Sequence, residues 1–167
     1  MKVGLLPIGA LPPGLLGRLS DRLARFGILG EALEQVSVPK SARTGNSGQR
    51  RAEAFVAVAS KLAGSVLAVT LEDLRAEEYE FVFGYANIGS PGAVVSLARL
   101  RDPQPDRSLD RLVKESVHEL GHTWGLAHCD SRRCVMHHSE SVEDVDAKEE
   151  GFCRKCGGRV LFGIGKL

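Results

Sequence analysis

The sequence predicts a mixed α/β fold, in which helices pack on a twisted sheet. The first part of the chain alternates strand-like and helix-like segments, and several strand-like runs then follow one another before a long helical pattern. With 167 residues, 43% of them hydrophobic and 26% charged, the chain is long enough for one domain with its own core and short for two. We therefore expect a single domain over residues 1–167, with an N-terminal part (1–125) and a C-terminal part (126–167).

The N-terminal segment predicts a strand, a helix and a second strand. Lys2–Ile8 is a short apolar run typical of a buried strand. Within Pro13–Phe26, leucines recur at helical spacing, and Gly27 follows at a position suited to end the helix. Val36 and Val38 alternate with polar residues, which indicates a second strand over Ala32–Val38.

The middle of the chain predicts a loop, a helix and three strands. Lys40–Gly48 has the composition of a loop, and apolar residues at helical spacing predict a helix over Gln49–Leu62. The runs Ser65–Thr70, Glu80–Tyr85 and Ala93–Leu100 are rich in β-branched and aromatic residues and predict strands.

The last third predicts a long helix followed by shorter elements. Apolar and small residues recur at helical spacing from Arg107 to Trp124. The acidic segment Ser141–Lys148 predicts the start of another helix, and Arg159–Ile164 is a final apolar run.

Composition and charge exclude several classes of protein. The net charge of +1 gives no indication of nucleic-acid binding, and no apolar run reaches the length of a transmembrane helix. Pro7, Pro12 and Pro13 interrupt the N-terminal apolar stretch, which offers no clear signal-peptide cleavage site. We expect a cytoplasmic monomer that binds neither nucleic acid nor membrane.

The stretch from residue 118 to residue 136 carries the chemistry. His118 and His122 are four apart, so on a helix they share one face and can reach the same metal ion. Glu119 lies between them, close enough to hydrogen-bond a metal-bound water. Gly125 can end the helix in a left-handed conformation, and His128 then supplies a third imidazole. Three imidazoles and one open position are typical of a catalytic zinc site.

Four cysteines and one methionine follow this histidine motif. Met136 comes eight residues after His128, where an apolar floor beneath the metal would lie. The cysteines form two pairs, with four residues between the first two and two residues between the second two: Cys129 and Cys134, then Cys153 and Cys156. Without a signal peptide, this pattern favours thiolate ligands of a second zinc, although disulfides or free thiols stay as alternatives.

The histidine motif resembles the metzincin signature, HExxHxxGxxH with a downstream Met. The cysteine pattern is similar to that of the archaemetzincin branch. The resemblance implies two zinc ions per chain, one catalytic on the three histidines and one structural on the four cysteines. It also implies an antiparallel edge strand over the cleft near Ala93–Leu100, which would bind extended substrate by strand addition. A backing helix, an active-site helix ending at Gly125, a Met-turn and a C-terminal zinc knuckle complete the expected metzincin-like fold.

These observations predict a zinc metallopeptidase that hydrolyses a peptide or protein substrate. Glu119 would act as the general base that activates the zinc-bound water, and His138 is a further candidate for a hydrogen bond to the oxyanion. Two alternatives stay open. One is a zinc-binding protein of this fold with little or no peptidase activity, and the other is a zinc hydrolase of a non-peptide amide or ester.

Overall fold

The computed structural model describes residues 1–45 and 48–164, except for the side chains of 161–164. Its main sheet has five strands in the order β2-β1-β4-β8-β7, of which the first four are parallel and β7 is antiparallel to β8. A smaller sheet has the order β3-β5-β6. The strands are β1 (Lys2–Pro7), β2 (Leu29–Ala32), β3 (Arg50–Arg51), β4 (Val66–Thr70), β5 (Leu74–Ala76), β6 (Tyr79–Val82), β7 (Gly84–Ala86) and β8 (Gly92–Ser96).

Helices cover both faces of the main sheet because successive strand residues point to opposite sides. In β4, Leu67 and Val69 join one hydrophobic cluster, whereas Val66 and Ala68 join the other. The first cluster includes residues of α1 and α3, and the second includes residues of α2. The helices are α1 (Leu15–Ala24), α2 (Ala52–Ala59), α3 (Pro105–Thr123), α4 (Val142–Ala147) and α5 (Arg154–Ile164). Among the described residues, no helix combines the length and apolar character that crossing a bilayer requires.

The expected mixed α/β architecture is confirmed, but two strand assignments were wrong. The second strand is β2, not Ala32–Val38. Gly27, with φ 72°, turns the chain directly after α1, so that pairing with β1 starts already at Leu29. Because β2 is an exposed edge strand with Gly30 at its centre, it lacks an apolar pattern. Val36 reaches the sheet only through an isolated bridge to Ile8.

The antiparallel edge strand also lies elsewhere than expected. β8 is buried along its whole length between β4 and β7, so the run Ala93–Leu100 is interior and ends as a strand at Ser96. Its continuous apolar sequence is typical of a strand covered on both faces. The edge strand is β7, because the segment Glu80–Tyr85 divides into two strands. β6 pairs with β5 in the small sheet, and the chain then crosses at Phe83 to the edge of the main sheet.

Polar contacts hold the C-terminal part against α3. The Arg111 guanidinium makes two hydrogen bonds to the carboxylate of Asp146, at 2.8 and 2.7 Å. Lys114 donates to the backbone carbonyls of Val145 and Asp146, each at 3.1 Å. A capping box between Ser141 and Asp144 begins α4, which confirms a helix in the predicted segment. Residues 46 and 47 of the predicted loop lie outside the described residues.

A close approach of helix and sheet leads to a stability prediction. A Cβ on Gly92 would lie 2.7 Å from the backbone nitrogen of Ser60 and 2.9 Å from the carbonyl oxygen of Val56. Gly92→Ala should therefore separate β8 from α2 and lower the free energy of unfolding by about 1–3 kcal/mol in urea denaturation. Gly17→Ala is the matched control. It has open space within α1 and should raise stability by up to about 1 kcal/mol. Equal effects at the two positions would contradict this packing argument.

Candidate metal centre and cleft

The histidine motif occupies the last two turns of α3, on the face that looks towards β7. His118, Glu119 and His122 are all buried. Gly121 lies on the same helix turn, and a Cβ there would overlap the sulfur of Met136. Met136 is fully buried, so the glycine allows the methionine to pack directly against the helix backbone. Met136 thus lies against the helix turn that bears His118 and His122, and its role as an apolar floor beneath the metal stays a prediction.

The helix ends at Gly125 in a Schellman motif. The N–H of Gly125 donates to the carbonyl of His122 at 2.9 Å, and that of Leu126 donates to the carbonyl of Gly121 at 3.0 Å. Gly125 has φ 90°, in the left-handed region that favours glycine. This turn reverses the chain and brings His128 back to the two helical histidines.

The three imidazoles converge with their free nitrogens facing one another. The Nδ1 of His118 lies 2.7 Å from the carbonyl oxygen of Val135, and the Nδ1 of His122 lies 2.7 Å from that of Leu126. Because a carbonyl only accepts, each Nδ1 carries the proton and each Nε2 keeps its lone pair. The two Nε2 atoms are 3.1 Å apart, and one ring nitrogen of each histidine, including His128, lies within 4.8 Å of the others. Lone pairs this close repel unless a cation lies between them, so this donor set suits a metal ion.

Electrostatics keep these histidines in the neutral form that metal ligation needs. Burial is the main cause that lowers the pKa of His118 well below its ordinary value, and it also lowers the pKa of His122. Desolvation is the main cause that lowers the pKa of the more exposed His128 to about 4, and the nearby His122 acts in the same direction. All three are therefore neutral at pH 7.

Glu119 is buried beneath the edge strand. Its burial raises its pKa well above the ordinary value, the neighbouring carboxylate of Glu115 acts in the same direction, and Lys148 opposes both. A Cβ on Gly84 of β7 would lie 2.6 Å from the Cγ of Glu119 and 2.8 Å from the carbonyl oxygen of Val94. Only glycine at position 84 lets the strand approach Glu119 this closely.

A cleft of about 630 Å³ lies between β7 and α3. Residues 78–86 line one side of it, and Ile88 stands exposed at one end. Its opposite rim contains His138, whose ring centroid is 4.7 Å from that of His128 and 5.9 Å from that of Tyr79. The histidine nitrogens and Glu119 thus meet in one groove that has room for an extended chain.

The four cysteines form a second cluster beside the first. Their sulfurs lie within 4.8 Å of one another, and all four are free thiols. The Sγ atoms of Cys129 and Cys153 are 3.9 Å apart, far beyond the length of a disulfide bond. The backbone N–H of Cys156 is the main cause that lowers the pKa of Cys153 to about 7, which favours a thiolate. Cys134 and Cys156 are buried, so this arrangement suits a closed four-sulfur metal site.

Two short links join the cysteine cluster to the histidine cluster. His128 and Cys129 are neighbours in the chain, and the N–H of Cys129 donates to the carbonyl of Met136 at 2.9 Å. The Nδ1 of His137 also donates to the carbonyl of Cys129, at 2.8 Å. The loop that delivers the third histidine is therefore held by the segment around Met136.

Three residues of the site region were missed from the sequence: Gly84, Glu115 and Lys148. Glu115 lines the cleft, and its position four residues before Glu119 on a helix could have revealed that the two share a face. Gly84 and Lys148 lie far from the motif in sequence, and no local pattern connects them to it.

The chain is similar to known proteins over most of its length. A family model described as peptidase family M54 matches residues 49–161. The archaemetzincin of Methanopyrus kandleri is 45% identical over 148 residues, which cover 85% of this chain and 83% of that protein. The archaemetzincin of Haloquadratum walsbyi is 37% identical over 174 residues, which cover 97% and 100% respectively.

Solved structures share the same architecture. The crystal structure of the Methanopyrus kandleri archaemetzincin has a TM-score of 0.91 and 36% identity, and the match covers 99% of this chain and 96% of that one. The Archaeoglobus fulgidus archaemetzincin, solved with malonate, has a TM-score of 0.86 and 33% identity, with 95% and 99% covered. A structure described as a zinc-dependent peptidase, from Methanocorpusculum labreanum, has a TM-score of 0.84 and 26% identity, with 95% and 99% covered.

The family match spans both clusters of ligating residues, and the structural match spans nearly the whole chain. Both confirm the resemblance that the histidine and cysteine motifs indicated. This chain belongs to peptidase family M54, the archaemetzincins, and is thus a zinc metallopeptidase by family.

Proposed function

We propose that this protein hydrolyses peptide bonds of an extended peptide or protein segment bound between β7 and α3. The observation that carries the proposal is the convergence of one ring nitrogen from each of three histidines beside the buried Glu119 in an open cleft. His118, His122 and His128 would hold the catalytic zinc. We propose also that the chain is a monomer and that its whole length acts as one catalytic domain.

Glu119 is the proposed general base. Zinc, when bound, would supply Lewis acidity that activates a water and polarises the substrate carbonyl. The carboxylate of Glu119 would accept the proton from the water and then donate it to the leaving amine. Its raised pKa suits both steps, since a base whose conjugate acid titrates nearer to neutral pH also returns the proton readily.

β7 and His138 are the proposed substrate-facing groups. β7 is the terminal strand of the main sheet in the described chain, so its outer edge can pair with an extended peptide through backbone hydrogen bonds. Gly84 would place that peptide next to Glu119. His138, on the opposite rim beside His128, would donate a hydrogen bond to the carbonyl oxygen on which charge develops.

The four cysteines would hold a second, structural zinc. A closed shell of four thiolates has no position for a substrate, so its contribution is to stability. It would fix Cys129 and so the direction of its neighbour His128. Four free thiols of this kind also suit a reducing compartment such as the cytoplasm.

Loss of the base should strongly reduce turnover without loss of metal. Glu119→Gln should lower peptide hydrolysis by about 10²-fold or more, because the positioned proton acceptor is gone, while zinc content stays unchanged. A mixed peptide library analysed by mass spectrometry gives the rates, and elemental analysis gives the zinc. Glu34→Gln, the same change at an exposed position that does not line the cleft, should have little effect. Full activity of the Glu119 variant would refute this mechanism.

Two zinc ions per chain are expected, and loss of the cysteine site should weaken the catalytic site. The variant with Cys153→Ser and Cys156→Ser should lose the second zinc and have a lower melting temperature. It should also bind the catalytic zinc more weakly, because His128 is no longer held in place. His118→Ala should instead lose only the catalytic zinc. Elemental analysis and zinc titration of the three proteins test this. Undiminished catalytic-site affinity in the cysteine variant would show that the cluster does not anchor His128.

The turn at Gly125 should matter for metal binding beyond its effect on stability. Gly125→Val forces a β-branched residue into the left-handed region, at a cost of about 1–2 kcal/mol, and should misplace His128. Gly64→Val is the control, since Gly64 has φ 80° and open space around it but lies far from the ligands. Both variants should melt earlier, and only Gly125→Val should weaken the catalytic zinc. Equal zinc affinities in the two variants would place the important turn elsewhere.

A further inference from the structure

A buried ion pair lies next to the proposed catalytic site and has no part in the proposed mechanism. The Lys148 side chain is 0% exposed and that of Glu115 is 4% exposed, with Nζ and Oε1 at 2.7 Å. The same Nζ donates to the carbonyl oxygen of His137 at 3.1 Å. A fully buried lysine therefore holds two partners, one on α3 and one in the segment that follows Met136.

Stability of the fold does not by itself explain this pair. Removing two charges from water costs about as much as their attraction returns, and apolar residues of similar volume often serve a core equally well. α3 and the C-terminal part are in any case already joined by Arg111 with Asp146 and by Lys114 with two backbone carbonyls. The position of Lys148 is the more informative feature.

Lys148 joins two parts of the chain that border the cleft, α3 and the segment after Met136. Glu115 lines the cleft one turn before Glu119 on the same helix. His137 directly precedes residues 138–140, here called the lower rim, all of which line the cleft opposite β6 and β7. The Nζ of Lys148 thus fixes the start of the lower rim to the helix that carries Glu119, His118 and His122.

We propose that Lys148 is a positioning residue for substrate, which holds the lower rim against α3 through Glu115 and the carbonyl of His137. The hydrogen bonds fix the position of the lower rim relative to α3 and keep His138 beside His128. The ammonium is suited to this task because its three donors can serve a carboxylate and a carbonyl together. The proposal rests on the proposed function, since the rim that Lys148 positions is the one assigned to substrate.

Lys114 provides a matched control on the same helix. Its ammonium also links α3 to the end of α4, through the carbonyls of Val145 and Asp146. Lys114 does not itself line the cleft, and its Nζ bonds go to these two carbonyls rather than to that of His137. Lys114→Met and Lys148→Met therefore each remove one lysine link between the same two elements, and only the second releases the carbonyl of His137.

The experiment compares Lys148→Met, Lys114→Met and the double variant Glu115→Gln with Lys148→Met. The double variant leaves no unpaired buried charge, so it should recover most of the melting temperature that Lys148→Met loses. We expect faster amide hydrogen exchange at the lower rim in both Lys148 variants and unchanged exchange there in Lys114→Met. For peptide hydrolysis, kcat/KM should fall by about tenfold or more in both Lys148 variants, as expected for displaced contacts, and stay near wild type in Lys114→Met.

Two results would overturn the proposal. One is that amide exchange at the lower rim of the double variant equals that of the wild type. The other is that kcat/KM of the double variant recovers together with its melting temperature, which would assign Lys148 to stability alone. If Lys148→Met does not fold, the double variant decides by the same two measurements. A wild-type protein without peptidase activity would count against the proposed function. Hydrogen exchange at the lower rim would still test the positioning role of Lys148 in that case.

Discussion

The hydrogen bond from the Nδ1 of His118 to the carbonyl of Val135 is the contact on which the site depends. It joins the helix formed by the N-terminal part to the segment that contains Met136. It also fixes the protonation of the imidazole, so that Nε2 presents a lone pair. The equivalent bond from His122 to the carbonyl of Leu126 is made within the turn at Gly125, so the helix end orients its own ligand. Two backbone carbonyls thus orient both helical histidines and fix their protonation without help from a metal.

Residues with fixed local spacing allowed most of the site to be predicted. Helical geometry places His118 and His122 on one face, and the left-handed Gly125 turns the chain so that His128 returns to them. The structure has this arrangement. The cysteine pairs likewise meet in space, as their spacing indicated. The sequence could also predict the long helix and the interior strands, since continuous apolar runs and helical periodicity follow directly from burial.

Features that depend on distant parts of the chain could not be predicted. The edge strand was misplaced because β7 has only three residues, with Gly84 at its start, and its role is defined by its partner β8. β2 was misplaced because an exposed edge strand needs no apolar pattern. Lys148 reads as an ordinary surface lysine in the sequence, and only the three-dimensional packing shows that it is fully buried.

The order of the elements along the chain has a consequence for biosynthesis. All strands of the main sheet lie before residue 97, whereas the proposed ligands fall between residues 118 and 156. A chain that leaves the ribosome from its N-terminus can therefore assemble its sheet while no metal ligand has yet been made. The order of the elements thus allows metal to bind after the strands of the sheet have paired.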